Sequence, residues 1–205
     1  QVELIRSTAP RFAESTVPVL LEAAGSQDEN VRAEAFKSLG VLAGPQDLPN
    51  LIALLDSVDG AKARKEAERA VALVARKVVP EDAQADMLLA HLVSLDPADT
   101  ETRISLLKVL GQVSGPKALE AVRAGTHDAA ESVREAAARV LMDWSDSEPV
   151  EDLLVLAETG DTETLRILAL RAALHMLSND SVIVGQPTFV AKRSTTELLN
   201  LYKQA

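Results

Sequence analysis

The chain has no cysteine, which removes disulfides, thiol nucleophiles and Cys-ligated metals from consideration. Aromatic side chains are nearly as scarce: the 205 residues include three Phe, one Trp and one Tyr. Sites that stack bases or sugars on rings placed at intervals are therefore disfavoured. Long apolar runs are missing too. A stretch such as Val17 to Leu21 falls far short of the ~20 residues that cross a bilayer, so no membrane insertion is expected. Nor is there a basic excess, because 21 Lys and Arg face 31 Asp and Glu for a formal charge of −10. That balance repels DNA and anionic lipid unless the charges are segregated. No targeting signal is recognisable, and the chain begins at Gln1 rather than Met, as expected of a processed chain or an excised domain. The lack of cysteine is compatible with an exported or a cytoplasmic origin.

What the chain does have is aliphatic bulk in small pieces. Apolar residues make up 47% of it, mostly Ala, Leu and Val. Ala and Leu lead the helix scale, whereas strands draw on β-branched and aromatic residues, so an all-α protein is expected.

Internal repetition organises these helices. Five Ala- or Leu-rich segments each open at an arginine: Arg32, Arg64, Arg103, Arg134 and Arg166, spaced by 32, 39, 31 and 32 residues. A second helical segment precedes each arginine, at residues 16–24, 48–57, 82–95, 116–124 and 148–158. Short acidic or glycine-bearing links join the two, as in Gly25-Ser26-Gln27-Asp28 and Gly160-Asp161-Thr162. Glycine can end a helix in the left-handed conformation, and Asp can cap the next one. Pro45 and Pro116 both stand thirteen residues past an arginine, where a missing amide proton costs nothing. The unit is helix A, tight turn, helix B, short link.

Counted from the arginine, positions three, four, seven and ten of helix B are mostly apolar, as in Leu106, Leu107, Leu110 and Val113 or Ala137, Ala138, Leu141 and Trp144. At 100° per residue they form one stripe. Gly40 and Gly111, eight residues after their arginines, suit close helix approach. One pair of short helices cannot bury such a stripe, but a stack of pairs can. The expected architecture is an α-solenoid of about five hairpins (15–44, 45–78, 79–115, 116–145 and 146–178). A partial preceding helix is expected in 1–14, and an irregular segment with a terminal helix in 179–205. The unpaired final helix is expected of a truncated array.

These residues resemble the HEAT repeat family, in its short bacterial form. The likeness rests on Leu-Leu pairs with a nearby proline in helix A, an acidic turn, and Val-Arg or its equivalent before an Ala-rich helix B; it covers residues 15–178. It implies a right-handed solenoid with the B helices lining the concave side, and a protein or peptide partner. It also implies an inter-repeat ladder built on Arg32, Arg64, Arg103, Arg134 and Arg166, in which an Asp six residues before the arginine takes part. Only Asp128 keeps that spacing, to Arg134. Residues 135–177 further resemble arrays attached to exported bacterial multidomain proteins. That implies the accessory array of a larger hydrolase-type protein, and an exported location is favoured on that ground.

No catalytic constellation is found. His91, His127 and His175 lie in three different repeats with no i, i+4 partner. Asp143, Asp146 and Glu148 lack the glycine and terminal glutamate of a calcium loop. No phosphate-binding loop occurs, and neither metal nor cofactor is expected. One regular feature remains. Five residues after each leading arginine stands a base: Lys37, Arg69, Lys108, Arg139 and Arg171, about 160° from the apolar stripe. The row suits an acidic peptide, a phosphate backbone or a polyanionic sugar. The charge pattern by itself favours a plain solvated face, partly neutralised by Glu66 with Arg69 and Glu135 with Arg139. Val41, Leu73, Ile104 and Ile167 around it are expected to be half-buried. The function expected is a non-catalytic interaction module with the basic row as its contact surface. Nucleic acid is disfavoured, and the chain is expected to be a monomer or weakly associated through its exposed array ends.

Overall fold

In the computed structural model, residues 13–183 are described, and among them every regular element is helical. Ten α-helices follow in order: α1 (Ala13–Ala24), α2 (Glu29–Leu42), α3 (Leu48–Ser57), α4 (Ala61–Ala75), α5 (Asp86–Ser94), α6 (Thr100–Val113), α7 (Pro116–Gly125), α8 (Glu131–Met142), α9 (Val150–Thr159) and α10 (Glu163–Ile183). Odd-numbered helices are the A members of the hairpins and even-numbered ones the B members. Single 3-10 turns at Pro45–Asp47 and Glu81–Ala83 lead into α3 and α5. The packing divides into two compact units, one up to Ala121 and one from Val122.

In the first unit α1 pairs with α2 and α3 with α4, while α2 packs on α4 and α4 on α6. In the second, α9 pairs with α10, and α10 also meets α8. The apolar stripe of helix B makes these contacts: Phe36, Leu39, Leu106, Leu110, Ala137 and Leu141 are all buried. Each fully buried Leu or Phe contributes about 1.5–3 kcal/mol relative to its exposed state. An all-α array of helical hairpins results.

Several local details differ from expectation. Ala13 and Glu14, placed in a preceding helix by the sequence pattern, open α1 instead. Residues 179–183, expected to be irregular, continue α10. The remainder of 1–14 and of 179–205 lies outside the described residues. Among the glycines, positive φ is found at Gly60 and Gly115, not at Gly25 or Gly160. Gly160 ends α9 in an extended conformation, and a β-carbon there would lie 2.7 Å from the Leu156 carbonyl oxygen. Space, rather than left-handed geometry, is what requires glycine at that link.

Capping follows the sequence at two starts. The Asp28 carboxylate accepts from the Asn30 amide at 2.8 Å, and the Asp99 carboxylate from Thr102 at 3.1 Å. α4 is started differently. Its N-cap, Gly60, has no side chain, and the Glu29 carboxylate of the preceding repeat accepts from the Lys62 amide at 3.0 Å. At the opposite end of the same helix pair, the Lys77 ammonium donates to the carbonyls of Val41 in α2 and of its C-cap Ala43, at 2.9 and 2.7 Å. Orphan groups at both ends of the α2–α4 seam are thus satisfied from the neighbouring repeat.

Candidate functional site: the helix-B face

The leading arginines come first, because they fix how one repeat meets the next. Four of them donate to a main-chain oxygen six residues back: Arg32 to Ser26 (2.7 Å), Arg64 to Val58 (2.8 Å), Arg103 to Pro97 (3.1 Å) and Arg134 to Asp128 (2.9 Å). The guanidinium ties the turn between helices A and B, and three of the same forks also reach forward into the following repeat. Arg32 donates to the Asp59 carbonyl at 2.7 Å, Arg64 pairs with Glu101 at 3.0 Å, and Arg134 pairs with Asp161 at 2.9 Å. A planar five-donor fork suits this double duty where lysine would not. Asp128 contributes its main-chain oxygen to Arg134, while its carboxylate accepts from the Ala130 amide at 2.9 Å. The Cγ of Arg166 would stand 3.2 Å from a β-carbon at Gly160, so its stem packs on that link.

A second set of rungs joins the A helices, and nothing local in the sequence signals it. His91 on α5 meets Asp56 on α3 at 2.9 Å, Lys117 on α7 meets Asp86 on α5, and Arg123 on α7 meets Asp152 on α9 at 2.8 Å. His91 is therefore an inter-helix partner rather than a ligand, and no group of His, Asp and Glu among the described residues could hold a metal ion. The hydrogen bond to Asp86 raises the pKa of Lys117 above the ordinary 10.5. Burial against α2 lowers that of Lys77, opposed by the nearby Asp47.

The basic row is exposed at all five positions, Lys37, Arg69, Lys108, Arg139 and Arg171. Its members differ in what holds them. Lys108 lies 3.2 Å from Glu68, a residue 6% exposed whose carboxylate also accepts from the Ser105 hydroxyl at 2.8 Å. Glu68 occupies a stripe position of α4, four residues after Arg64, where the other repeats place Phe36, Leu107, Ala138 and Leu170. Buried there, it needs both donors. Arg139 stands 3.9 Å from Glu135, the limit of an ion pair. The expected Glu66–Arg69 pair is not formed. Glu66 turns into the seam between α2 and α4, where its Oε2 is shielded from water without a hydrogen-bond partner. Among the described residues Lys37, Arg69 and Arg171 have no ion pair.

Two cavities accompany these features. A shallow one of about 120 Å³ runs between α2 and α4, lined by Lys37, Gly40, Val41, Glu66, Arg69 and Leu73 among others. Val41 and Leu73, expected to be half-buried, are 70% and 36% exposed. Ile104 and Ile167 are half-buried as expected. The other cavity, of about 610 Å³, lies in the second unit beside Asp128, Asp152 and Asp161. Those carboxylates are engaged by the Ala130 amide, Arg123 and Arg134, so it presents no free reactive group of theirs.

Against known families, the model for HEAT repeats matches residues 2–72 and 85–174. The chain belongs to the HEAT repeat family. The break in the match at 73–84 falls where the arginine spacing stretches from 32 to 39 residues, and the extra length forms the link 76–85 with its 3-10 turn. HEAT repeats commonly serve as protein-interaction scaffolds. No curated protein matches the chain. Among solved structures, an engineered protein determined by crystallography is similar at 20% identity and a TM-score of 0.38, over 92% of this chain and 94% of that one. No helix among the described residues is long and apolar enough to cross a membrane.

Proposed function

We propose that this HEAT array is a non-catalytic interaction module that holds a segment of a partner protein along its helix-B face, concave in solenoids of this kind. Lys37, Arg69, Lys108, Arg139 and Arg171 are the contact residues. The supporting observation is the exposure of all five, with Lys37, Arg69 and Arg171 unengaged by any carboxylate among the described residues. Exposed cations left unpaired are available to an incoming acidic surface. Nucleic acid is the weaker reading, since the formal charge is −10 and the row carries no rings on which bases stack. Service as the accessory array of a larger exported hydrolase-type protein is a special case of the same reading and uses the same face.

The test is comparative capture of partners by the wild type and by the variant Arg69→Glu, Arg139→Glu, Arg171→Glu. Lys108 is left intact because it neutralises the buried Glu68. The variant should melt like the wild type and lose its partners. Unchanged recovery would refute the reading, and binding of duplex DNA at low salt would replace it.

A further inference from the structure

We propose that the groove between α2 and α4 is the principal docking point on this face. Its occupant is an extended peptide segment of a partner protein with an acidic side chain and an aliphatic one two residues apart. The proposal rests on the interaction-module reading above and narrows it from a row to a place.

The argument begins with chemistry that coincides in this groove. Lys37 and Arg69 stand on facing helices, and neither is engaged by a carboxylate among the described residues. One turn further along each helix stands an exposed aliphatic side chain, Val41 after Lys37 and Leu73 after Arg69. Among the described residues no other helix B follows its base with an exposed aliphatic side chain four residues on. Four residues past the base stand Gln112 in α6, Asp143 just after α8 and His175 in α10. Lys108 is moreover occupied by Glu68.

Spacing then defines the occupant. Four residues of helix advance about 6 Å, from the cation pair to the aliphatic pair. An extended peptide rises about 3.3 Å per residue and points alternate side chains the same way, so residues two apart span that distance on one face. The acid meets Lys37 and Arg69, and the aliphatic side chain covers Val41 and Leu73. Gly40 keeps the floor low, since its hydrogen leaves room where a β-carbon would lie 3.1 Å from the Leu73 side chain. Together Lys37, Arg69 and Glu66 leave the groove with one net positive charge, which an acidic segment neutralises. Duplex DNA satisfies the cations but offers nothing aliphatic for Val41 and Leu73.

The experiment is selection of a random displayed peptide library on the intact chain, followed by fluorescence anisotropy on the enriched peptides. An acid and an aliphatic residue two apart should emerge, in either order. Replacing the acid by its amide should weaken binding about tenfold or more, as should Lys37→Glu with Arg69→Glu, or Val41→Ser with Leu73→Ser, because charge pairs and the centres of contact surfaces carry such effects. Arg139→Glu with Arg171→Glu, which removes contacts of a longer partner beyond this groove, should weaken the short enriched peptides less than the groove variants do. All these positions are exposed, and a thermal melt confirms that the variants fold. The proposal is overturned if no peptide enriches, if the enriched peptides lack the pattern, or if they tolerate the groove variants. Loss of binding only in the Arg139, Arg171 variant would overturn the groove while leaving the broader reading of the face intact.

Discussion

Gly40→Ala sets two known effects against each other at one atom. In the middle of an exposed helix this change stabilises by about 0.8–1.0 kcal/mol, because alanine is the better helix former. Gly40 is not exposed, and the new β-carbon would lie 3.1 Å from Leu73 Cδ1 and 3.2 Å from Ala70 Cα. Carbon atoms prefer about 3.5–4.0 Å, so both contacts are too short. Leu73 is 36% exposed and can turn away. Ala70 Cα is backbone in the middle of α4, so relief requires α2 and α4 to separate by a few tenths of an ångström along a seam capped at both ends by Glu29 and Lys77. Overpacking of this kind costs about 1–3 kcal/mol, which exceeds the gain in propensity. The expected net loss is about 1 kcal/mol, or ~2–4 °C in the melting temperature of a chain this long, with Gly40→Val worse. Circular dichroism melts with a parallel urea titration read it directly. The double variant Gly40→Ala, Leu73→Ala should recover only the Leu73 share of the loss. A rise in melting temperature for Gly40→Ala alone would refute the close approach of α2 and α4.

Other perturbations probe the remaining contacts. Lys77→Met should cost about 1–3 kcal/mol by leaving the Val41 and Ala43 carbonyls without their donor, read as a lower urea midpoint at unchanged slope. Gly60→Ala should cost at least about 1–2 kcal/mol, since φ there is +89° and a β-carbon would displace the Glu29 cap; loss of amide-exchange protection at the start of α4 would show it. Lys108→Met should destabilise at neutral pH by stranding the buried Glu68, and Glu68→Leu added to it should restore most of the loss; equal melts for the single and double variants would contradict this. Ala137→Asp, which buries a carboxylate at a fully covered position of α8, should cost several kcal/mol, and an unmoved melt would mean that the α8 stripe does not face the interior.

The hairpins and their core were legible because both depend on local order. The arginine period and the 3.6-residue stripe predict α2, α6 and α8 with their buried faces, and the Asp28 and Asp99 caps act within a few residues of themselves. The exposure of the basic row followed from the same wheel. What the sequence hid depends on the offset between stacked repeats. The caps from Glu29 and Lys77 and the rungs His91–Asp56, Lys117–Asp86 and Arg123–Asp152 join residues 29 to 36 apart, and no periodic signal selects them from other charged residues. Glu68 misled in the opposite direction. It occupies an apolar register position, and its burial becomes intelligible only when Ser105 and Lys108 are seen above it. Glu66 paired with Arg69 on helix spacing alone, whereas the seam with α2 draws it inward.

The caps that Glu29 and Lys77 exchange across the α2–α4 seam also bear on where such an array can be cut and rejoined. A hairpin defined as helix A plus helix B carries only half of each contact. Glu29 leaves with its own hairpin and takes the cap of the next one, while Lys77 leaves the carbonyls of the hairpin before it bare. Any cut between α2 and α4 divides both contacts, whether the repeat is counted from helix A or from helix B. Transplanting or duplicating a repeat of this chain then requires matching a polar socket as well as an apolar stripe, and a graft that fits the stripe alone carries frayed helix ends at the junction.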